Sequence, residues 1–182
     1  MKNSSVFLLL LLACFQLFSQ EETKKSFGAQ MSVAASDAYQ IGTEETGHLS
    51  LVGVGACFSI HYKHDVINSR FRISPVFQVG FYSDDSESQS SYKTTSMMFN
   101  FECDAIRYKS FNLMLYGGGG VISGSAMCIY PIGYTDAGYN YGFGFRFEPK
   151  DAPISLVVQP LNVQRGTMCD IISANFGFDI HF

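Results

Sequence analysis

The stretch that decides the fold is the last eleven residues, Ile172–Phe182, which read Ile-Ser-Ala-Asn-Phe-Gly-Phe-Asp-Ile-His-Phe. Apolar residues alternate with small or polar ones up to a terminal aromatic. Because successive side chains of a β-strand point to opposite faces, this strand has one apolar and one polar face. A strand that ends the chain leaves a sticky edge unless both of its edges are paired. The pattern therefore favours a closed barrel.

The same alternation recurs in seven more segments, which gives eight predicted strands. The seventh is the least regular, because Leu156-Val157-Val158 breaks the alternation and Pro160 has no N–H for the ladder. The first and last strands share one face pattern, so we expect them to pair and close the sheet. The seven segments are Ser26–Ser36, Leu49–Tyr62, Arg70–Tyr82, Ser96–Ile106, Phe111–Ile122, Asp136–Glu148 and Ile154–Val163.

Composition narrows the class further. Of the 182 residues, 47% are hydrophobic and only 15% are charged, and the formal net charge is -4. Beyond the N-terminus no apolar run reaches the roughly 20 residues of a membrane helix, and closed barrels are the other structures that span a bilayer. The sequence predicts an all-β protein, an eight-stranded antiparallel up-and-down transmembrane β-barrel. Mild acidity without basic clusters argues against nucleic acid as a partner.

The N-terminus has the pattern of an export signal. Lys2 precedes an almost wholly apolar run, Val6–Phe18, and Ser19 offers a small residue for cleavage. We expect residues 1–19 to be a cleaved signal peptide, 20–25 a short periplasmic segment and 26–182 the barrel. Leu11–Cys14 also resembles a lipoprotein box, although the chain stays apolar after the cysteine.

The connections between predicted strands alternate in length. Long polar segments follow the odd-numbered strands, at Asp37–His48, Ser83–Thr95, Ser123–Thr135 and Gln164–Asp170. The links after even-numbered strands are shorter, at Lys63–Ser69, Arg107–Ser110 and Pro149–Pro153. Outer-membrane barrels have short periplasmic turns and longer external loops, so both termini are expected on the periplasmic side.

The two faces of the strands predict which side meets lipid. Large aromatics such as Phe77, Phe99 and Phe143 share one face, whereas glycines such as Gly80 and Gly142 share the other. An eight-stranded barrel has little interior space, so the small and charged face is expected inside. With no Trp in the chain, the interfacial girdle is expected from Tyr62, Tyr82, Tyr108 and Tyr139.

On these features the chain from residue 26 to 182 resembles the small eight-stranded outer-membrane barrels of Gram-negative bacteria, the OmpX-like and OmpA transmembrane-domain type. The resemblance implies a place in the outer membrane among its lipid and lipopolysaccharide. It also implies insertion by the barrel-assembly machinery, which recognises an alternating last strand with a C-terminal Phe. The residues of that assembly signal are Phe176, Phe178, Ile180 and Phe182.

Charged residues on the predicted inward face form the best-defined candidate site. Buried charges are costly unless they are paired, so opposite signs at one level predict a network that plugs the lumen. A gated or proton-linked passage is the alternative, as is a small-solute channel through a Gly-lined upper lumen. The residues are Arg72, Glu102, Asp104, Arg146, Glu148, Asp179 and His181.

An enzymatic activity is not predicted. Cys57, Ser59 and His61 share one strand face, a spacing that could activate a nucleophile, but that face is the narrow lumen. His48 has no evident partner, and no Cys or His pair has metal-ligand spacing, so neither cofactor nor metal is expected.

The cysteines and acidic residues outside the strands suggest features of the external loops. Cys128 and Cys169 fall in predicted neighbouring loops, where an exported protein can form a disulfide. Cys57 is expected to point inward and Cys103 outward. The acidic loop residues are Glu44, Glu45, Asp84, Asp85 and Glu87.

Two functional classes stay open. The first is a structural or surface-interaction protein with an extracellular ligand, and the second is a channel. A secreted lipocalin-like carrier and a barrel lipid-modifying enzyme are further alternatives.

Overall fold

The computed structural model describes residues 24–40, 49–67, 70–83, 91–127, 132–149 and 152–182. The described residues form eight strands, and no helix among them is long and apolar enough to cross a membrane. The strands are β1 Lys25–Gln40, β2 Leu49–Ile67, β3 Phe71–Ser83, β4 Ser91–Tyr108, β5 Phe111–Met127, β6 Ile132–Phe147, β7 Ile154–Gly166 and β8 Cys169–His181.

All neighbouring strands are antiparallel, and the sheet closes on itself as predicted. β1 pairs with β2 on one edge and with β8 on the other, with Phe27 opposite Ile180 and Val33 opposite Ala174. Phe182 extends this seam, since its N–H donates to the Lys25 carbonyl oxygen at 3.0 Å. The terminal strand therefore has no free edge.

We name the two ends of the barrel by what lies there. The terminal end carries Lys24, Phe182 and the turn at residues 109–110. The loop end carries Gln40, Leu49 and the turn Thr167–Met168. At the terminal end Lys109 has φ 55°, a left-handed conformation that lets a two-residue turn join β4 to β5.

The apolar face points outward and the polar face inward, as predicted from the alternation. Met31 is 62% and Phe101 61% exposed, whereas their inward neighbours Gln30 and Glu102 are buried. Tyr62, Tyr108 and Tyr139 lie on the outward face. Tyr82 does not: the prediction of an interfacial Tyr82 is wrong, because the residue has the same strand parity as Gly80 and points into the barrel.

The predicted long loops are wrong in extent. β1 continues to Gln40, β4 begins at Ser91, and the connection between β7 and β8 is the turn Thr167–Met168 rather than Gln164–Asp170. Ladder hydrogen bonds join backbone groups whatever the side chains, so strands continue where the outward face turns polar, as at Lys93 and Thr135. The apolar alternation marks the apolar belt and not the strand ends.

Two prolines coincide with irregularities in the ladder. Between β2 and β3 the pairing passes from His61–Val76 directly to His64–Ile73, and Pro75 lies in this gap. Around Pro160, β7 shifts register against β8 between Gln159 and Asn162. The irregular seventh strand of the prediction therefore contains a bulge, as expected for a residue without a backbone donor.

Candidate functional site in the barrel lumen

The charged residues at the terminal end form a connected network, which we call the charge layer. Its centre is Arg146, which is 1% exposed. Its guanidinium lies 2.9 Å from Glu102, 3.3 Å from Asp104 and 3.6 Å from Asp179. Arg72 reaches Asp104 at 2.8 Å. Glu148 lies at the edge of the network, 3.8 Å from Arg146.

Sequence reasoning missed four members of the charge layer. Lys63 lies 2.9 Å from Asp179 and 3.4 Å from Glu102, and His61 lies 2.5 Å from Asp179. The sequence pattern predicts that strand two ends at Tyr62. Extending this strand by three residues with the same alternation would place Lys63 and Asp65 on the inward face. Asp65 binds Arg72 at 2.8 Å, and Arg107 binds Asp104 at 2.9 Å.

The structure brings six of the seven predicted lumen charges together by ion pairs. His181 lies beside them, and its Nε2 contacts Ser155 Oγ at 3.0 Å. A cavity of about 120 Å³ opens below the network toward the terminal end. It is lined by Lys24, Ser26, Asp65, Arg72, Arg107, Arg146, Glu148, Asp179 and His181.

Side-chain amides fill the middle of the lumen, which we call the amide layer. Gln164 donates to Gln78 at 3.0 Å, and Asn175 donates to Gln159 at 2.7 Å. The cavity between the amides is about 20 Å³, which is room for about one water molecule. The layer consists of Gln30, Gln78, Asn100, Asn140, Gln159, Asn162, Gln164 and Asn175.

Aromatic and thiol side chains fill the lumen nearer the loop end, in what we call the tyrosine layer. Tyr82 and Tyr92 stack at a centroid distance of 4.8 Å. The Tyr82 hydroxyl contacts Cys57 Sγ at 3.0 Å, and the Tyr92 hydroxyl donates to the Ser36 carbonyl oxygen at 2.8 Å. The buried cluster comprises Ala34, Cys57, Tyr82, Tyr92, Cys169 and Ile171.

Several inward glycines lie directly beside large inward side chains. A Cβ at Gly80 would meet the Tyr82 hydroxyl at 2.5 Å, and a Cβ at Gly53 would meet the Tyr92 ring at 2.9 Å. A Cβ at Gly142 would collide with the hydroxyl of Tyr116. Each glycine leaves room for a large inward neighbour.

The remaining predicted site residues are placed as follows. Cys57, Ser59 and His61 all point inward and are buried, and the His61 ring is bonded to Asp179. Cys169 is the first residue of β8, not a loop residue, and its free thiol contacts Ser36 Oγ at 3.3 Å. The pairing of Cys169 with Cys128 stays a prediction. Cys128, His48, the acidic loop residues and residues 1–23 lie outside the described residues.

Three solved structures have this architecture at low sequence identity. Neisserial surface protein A (NspA) superposes with a TM-score of 0.62 at 13% identity, covering 89% of this chain and 100% of that one. The fold is that of the small outer-membrane barrels. Ail, the attachment invasion locus protein of Yersinia pestis, gives a TM-score of 0.57 at 11% identity over the same shares. The N-terminal β-barrel domain of Pseudomonas aeruginosa OprF gives 0.51 at 10% identity, covering 85% and 97%.

No protein-family model and no curated protein sequence matches the chain. The predicted resemblance to OmpX-like and OmpA-type barrels is therefore supported by architecture, a closed sheet of eight antiparallel strands, and not by sequence similarity.

Proposed function

We propose that this protein is an integral outer-membrane barrel with a structural or surface-interaction role, both termini in the periplasm and a lumen closed by its own side chains. One observation carries the membrane placement. Large apolar residues are exposed on all eight strands of a closed barrel whose interior is polar. This is the arrangement of a membrane barrel, since a lipocalin-like carrier needs its apolar face inside.

Fractionation tests the membrane placement. The protein is expected in the outer-membrane fraction, resistant to alkaline extraction, and its band is expected to shift on gels when the sample is boiled. Release of the folded protein into aqueous buffer without detergent would refute a membrane barrel. Protease added to intact cells tests the orientation, because a tag inserted after Thr23, ahead of β1, is expected to be protected while the C-terminal Phe182 stays intact.

The closed lumen is supported by the three filled layers. Ion pairs, amide hydrogen bonds and stacked tyrosines follow one another along the barrel axis. In planar bilayers the purified protein is expected to give no steady single-channel current. Steady currents from the wild-type protein that are lost on Arg72→Gln or Arg146→Gln would instead show a conducting lumen.

A surface role is supported by the sequence of the predicted external loops and by two of the structural neighbours, a surface protein and an attachment protein. One related structure holds Ail with sucrose octasulfate, a heparin analogue. The acidic residues Glu44, Glu45, Asp84, Asp85 and Glu87 favour a cationic ligand for this chain instead.

A labelled oligolysine peptide tests the surface role on intact cells. Binding is expected to fall when these five carboxylates are replaced by amides, and a labelled heparin fragment is expected to bind poorly to both forms. Oligolysine binding that is equal in the two forms would overturn a cationic ligand at the loops.

Assembly by the barrel-assembly machinery is supported by the last strand. Phe176, Phe178, Ile180 and Phe182 are outward and exposed. Deletion of Phe182 is expected to reduce the amount of inserted barrel in cells far more than it lowers the stability of the folded molecules, which lose only its backbone hydrogen bonds with Lys25. Normal insertion of the truncated chain would argue against an assembly signal at this end.

A further inference from the structure

An apolar groove crosses the outward face over β1 to β4, nearer the terminal end. Its volume is about 240 Å³. The outward side chains along it are Phe27, Ile60, Tyr62, Pro75, Phe77 and Met97. His61, Val76 and Met98, whose side chains point inward, complete the lining, but the groove opens on the outward face of the sheet, away from the lumen.

The groove lies over the interrupted part of the β2–β3 ladder. Pairing is missing between His61–Val76 and His64–Ile73, and the Pro75 ring occupies the position of a donor. The register is the same on both sides of this gap, and it shifts further along the seam, between Asp65 and Ile67. The groove therefore lies where Pro75 removes a backbone donor from the β2–β3 ladder.

Two basic side chains lie directly below the groove. Lys25 and His64 are cross-strand partners, one outward position beyond the pair Phe27–Tyr62. Two residues along a strand span about 7 Å, so both side chains are within reach of the lower mouth of the groove. Lys25 is exposed and His64 is half-buried.

We propose that this groove binds one acyl chain of an anionic glycerophospholipid, whose phosphate sits against the Lys25 ammonium, beside His64. An acyl chain matches the apolar walls, and a phosphate oxygen supplies a charge partner for the exposed Lys25 ammonium. Toward the terminal end of the barrel the apolar groove comes first and Lys25 follows it. This is the order of the acyl chain and the headgroup in a phospholipid whose headgroup faces that end. This inference rests on the proposed membrane placement.

The chain has no tryptophan, so one introduced indole reports on its own surroundings. The reporter variant is Tyr62→Trp, in the groove. The matched control is Leu115→Trp, on the outward face of β5 and away from the groove. Each full-length barrel is reconstituted in phosphatidylcholine vesicles containing brominated phosphatidylglycerol or brominated phosphatidylcholine, and indole quenching is measured.

At the Tyr62→Trp reporter, brominated phosphatidylglycerol is expected to bind about fivefold more tightly than brominated phosphatidylcholine, as one basic residue near an anionic headgroup would give. Lys25→Gln combined with His64→Gln is expected to abolish this preference at the groove and to leave quenching at the control unchanged. Equal preference at the two reporters, or a preference that survives both substitutions, would overturn the site.

Two further outcomes are informative. If unlabelled lipopolysaccharide relieves quenching in the groove better than unlabelled phosphatidylglycerol does, the site takes a different lipid and the proposal is wrong. If neither reporter is quenched by either brominated lipid, the outward face does not meet a bilayer, and the proposed function fails rather than this site alone.

Discussion

The charge layer and the tyrosine layer fill the same barrel by different physical means. In the charge layer, long side chains of opposite sign converge on Arg146, and each buried carboxylate depends on a cation from another strand. In the tyrosine layer, bulky rings lie beside glycines, and only a few polar contacts hold them. The first layer is stabilised by electrostatic pairing and the second by shape.

The two layers should therefore respond to different substitutions. A buried ion pair is sensitive to the loss of either partner, because the other charge stays buried without compensation. A close-packed layer is sensitive instead to an added methyl group, since its neighbours have nowhere to move. The following variants test this contrast through the free energy of unfolding, measured by guanidinium titration of the barrel in detergent micelles.

Loss of Arg146 is expected to have the largest effect. Arg146→Ala leaves Glu102, Asp104 and Asp179 without a shared cation and should cost about 3–5 kcal/mol. The control is Arg165→Ala, whose half-exposed pair with Asp170 at 3.6 Å should be worth about 1 kcal/mol or less. Equal losses for both variants would mean that the charge layer does not stabilise the barrel.

A methyl group added beside Tyr82 is expected to have the next largest effect. Gly80→Ala places a Cβ against the Tyr82 hydroxyl and should destabilise the barrel by about 1–3 kcal/mol. Gly119→Ala is the control, because a Cβ there meets only the Gly138 carbonyl oxygen at 3.5 Å. A loss at Gly119 as large as that at Gly80 would point to the strand backbone and not to packing.

The amide layer should lie between these two kinds of behaviour. Gln78→Leu leaves the buried Gln164 amide without its acceptor and should cost about 1–3 kcal/mol. Adding Gln164→Leu should recover part of that loss, because a matched apolar pair leaves no unsatisfied donor. Additive losses from the two substitutions would show that the hydrogen bond between them is not the cause.

The smallest effects are expected from the tyrosine hydroxyls. Tyr92→Phe removes the donor to the Ser36 carbonyl oxygen and should cost about 1 kcal/mol. Tyr82→Phe removes the contacts of the hydroxyl with the Cys57 thiol, a weak hydrogen-bonding group, and with the Thr94 side chain, and should cost about 1 kcal/mol or less. A larger loss from Tyr82→Phe than from Tyr92→Phe would show that shape alone does not hold this layer.

The fold and most of the charge layer could be predicted from the sequence, because both follow from strand parity. Arg72, Glu102, Arg146 and Asp179 fall on the polar face of their strands, and the small radius of an eight-stranded barrel brings them together. Lys63 and Asp65 were missed because β2 continues to Ile67, beyond the end of its apolar alternation at Tyr62.

The upper lumen could not be predicted in the same way. Strand parity places Tyr82 on the inward face with Gly80, but only the three-dimensional packing shows that the glycine makes room for the tyrosine ring. The predicted loop position of Cys169 is wrong for a related reason. A polar Asp170 and a neighbouring Gly166 suggest a loop, whereas the chain turns in two residues and begins β8.

The seam between β1 and β8 has a consequence for the order of folding. Phe27 and Ile180 belong to opposite ends of the chain, so this seam has the longest loop closure in the molecule. Each hairpin from β1–β2 to β7–β8 pairs two strands that are adjacent in sequence, so these hairpins can form early. The barrel can close only after the final strand is available, and contacts so distant in sequence make folding slow. Until then, both β1 and β8 present open edges, and this interval is when the chain is most exposed to aggregation.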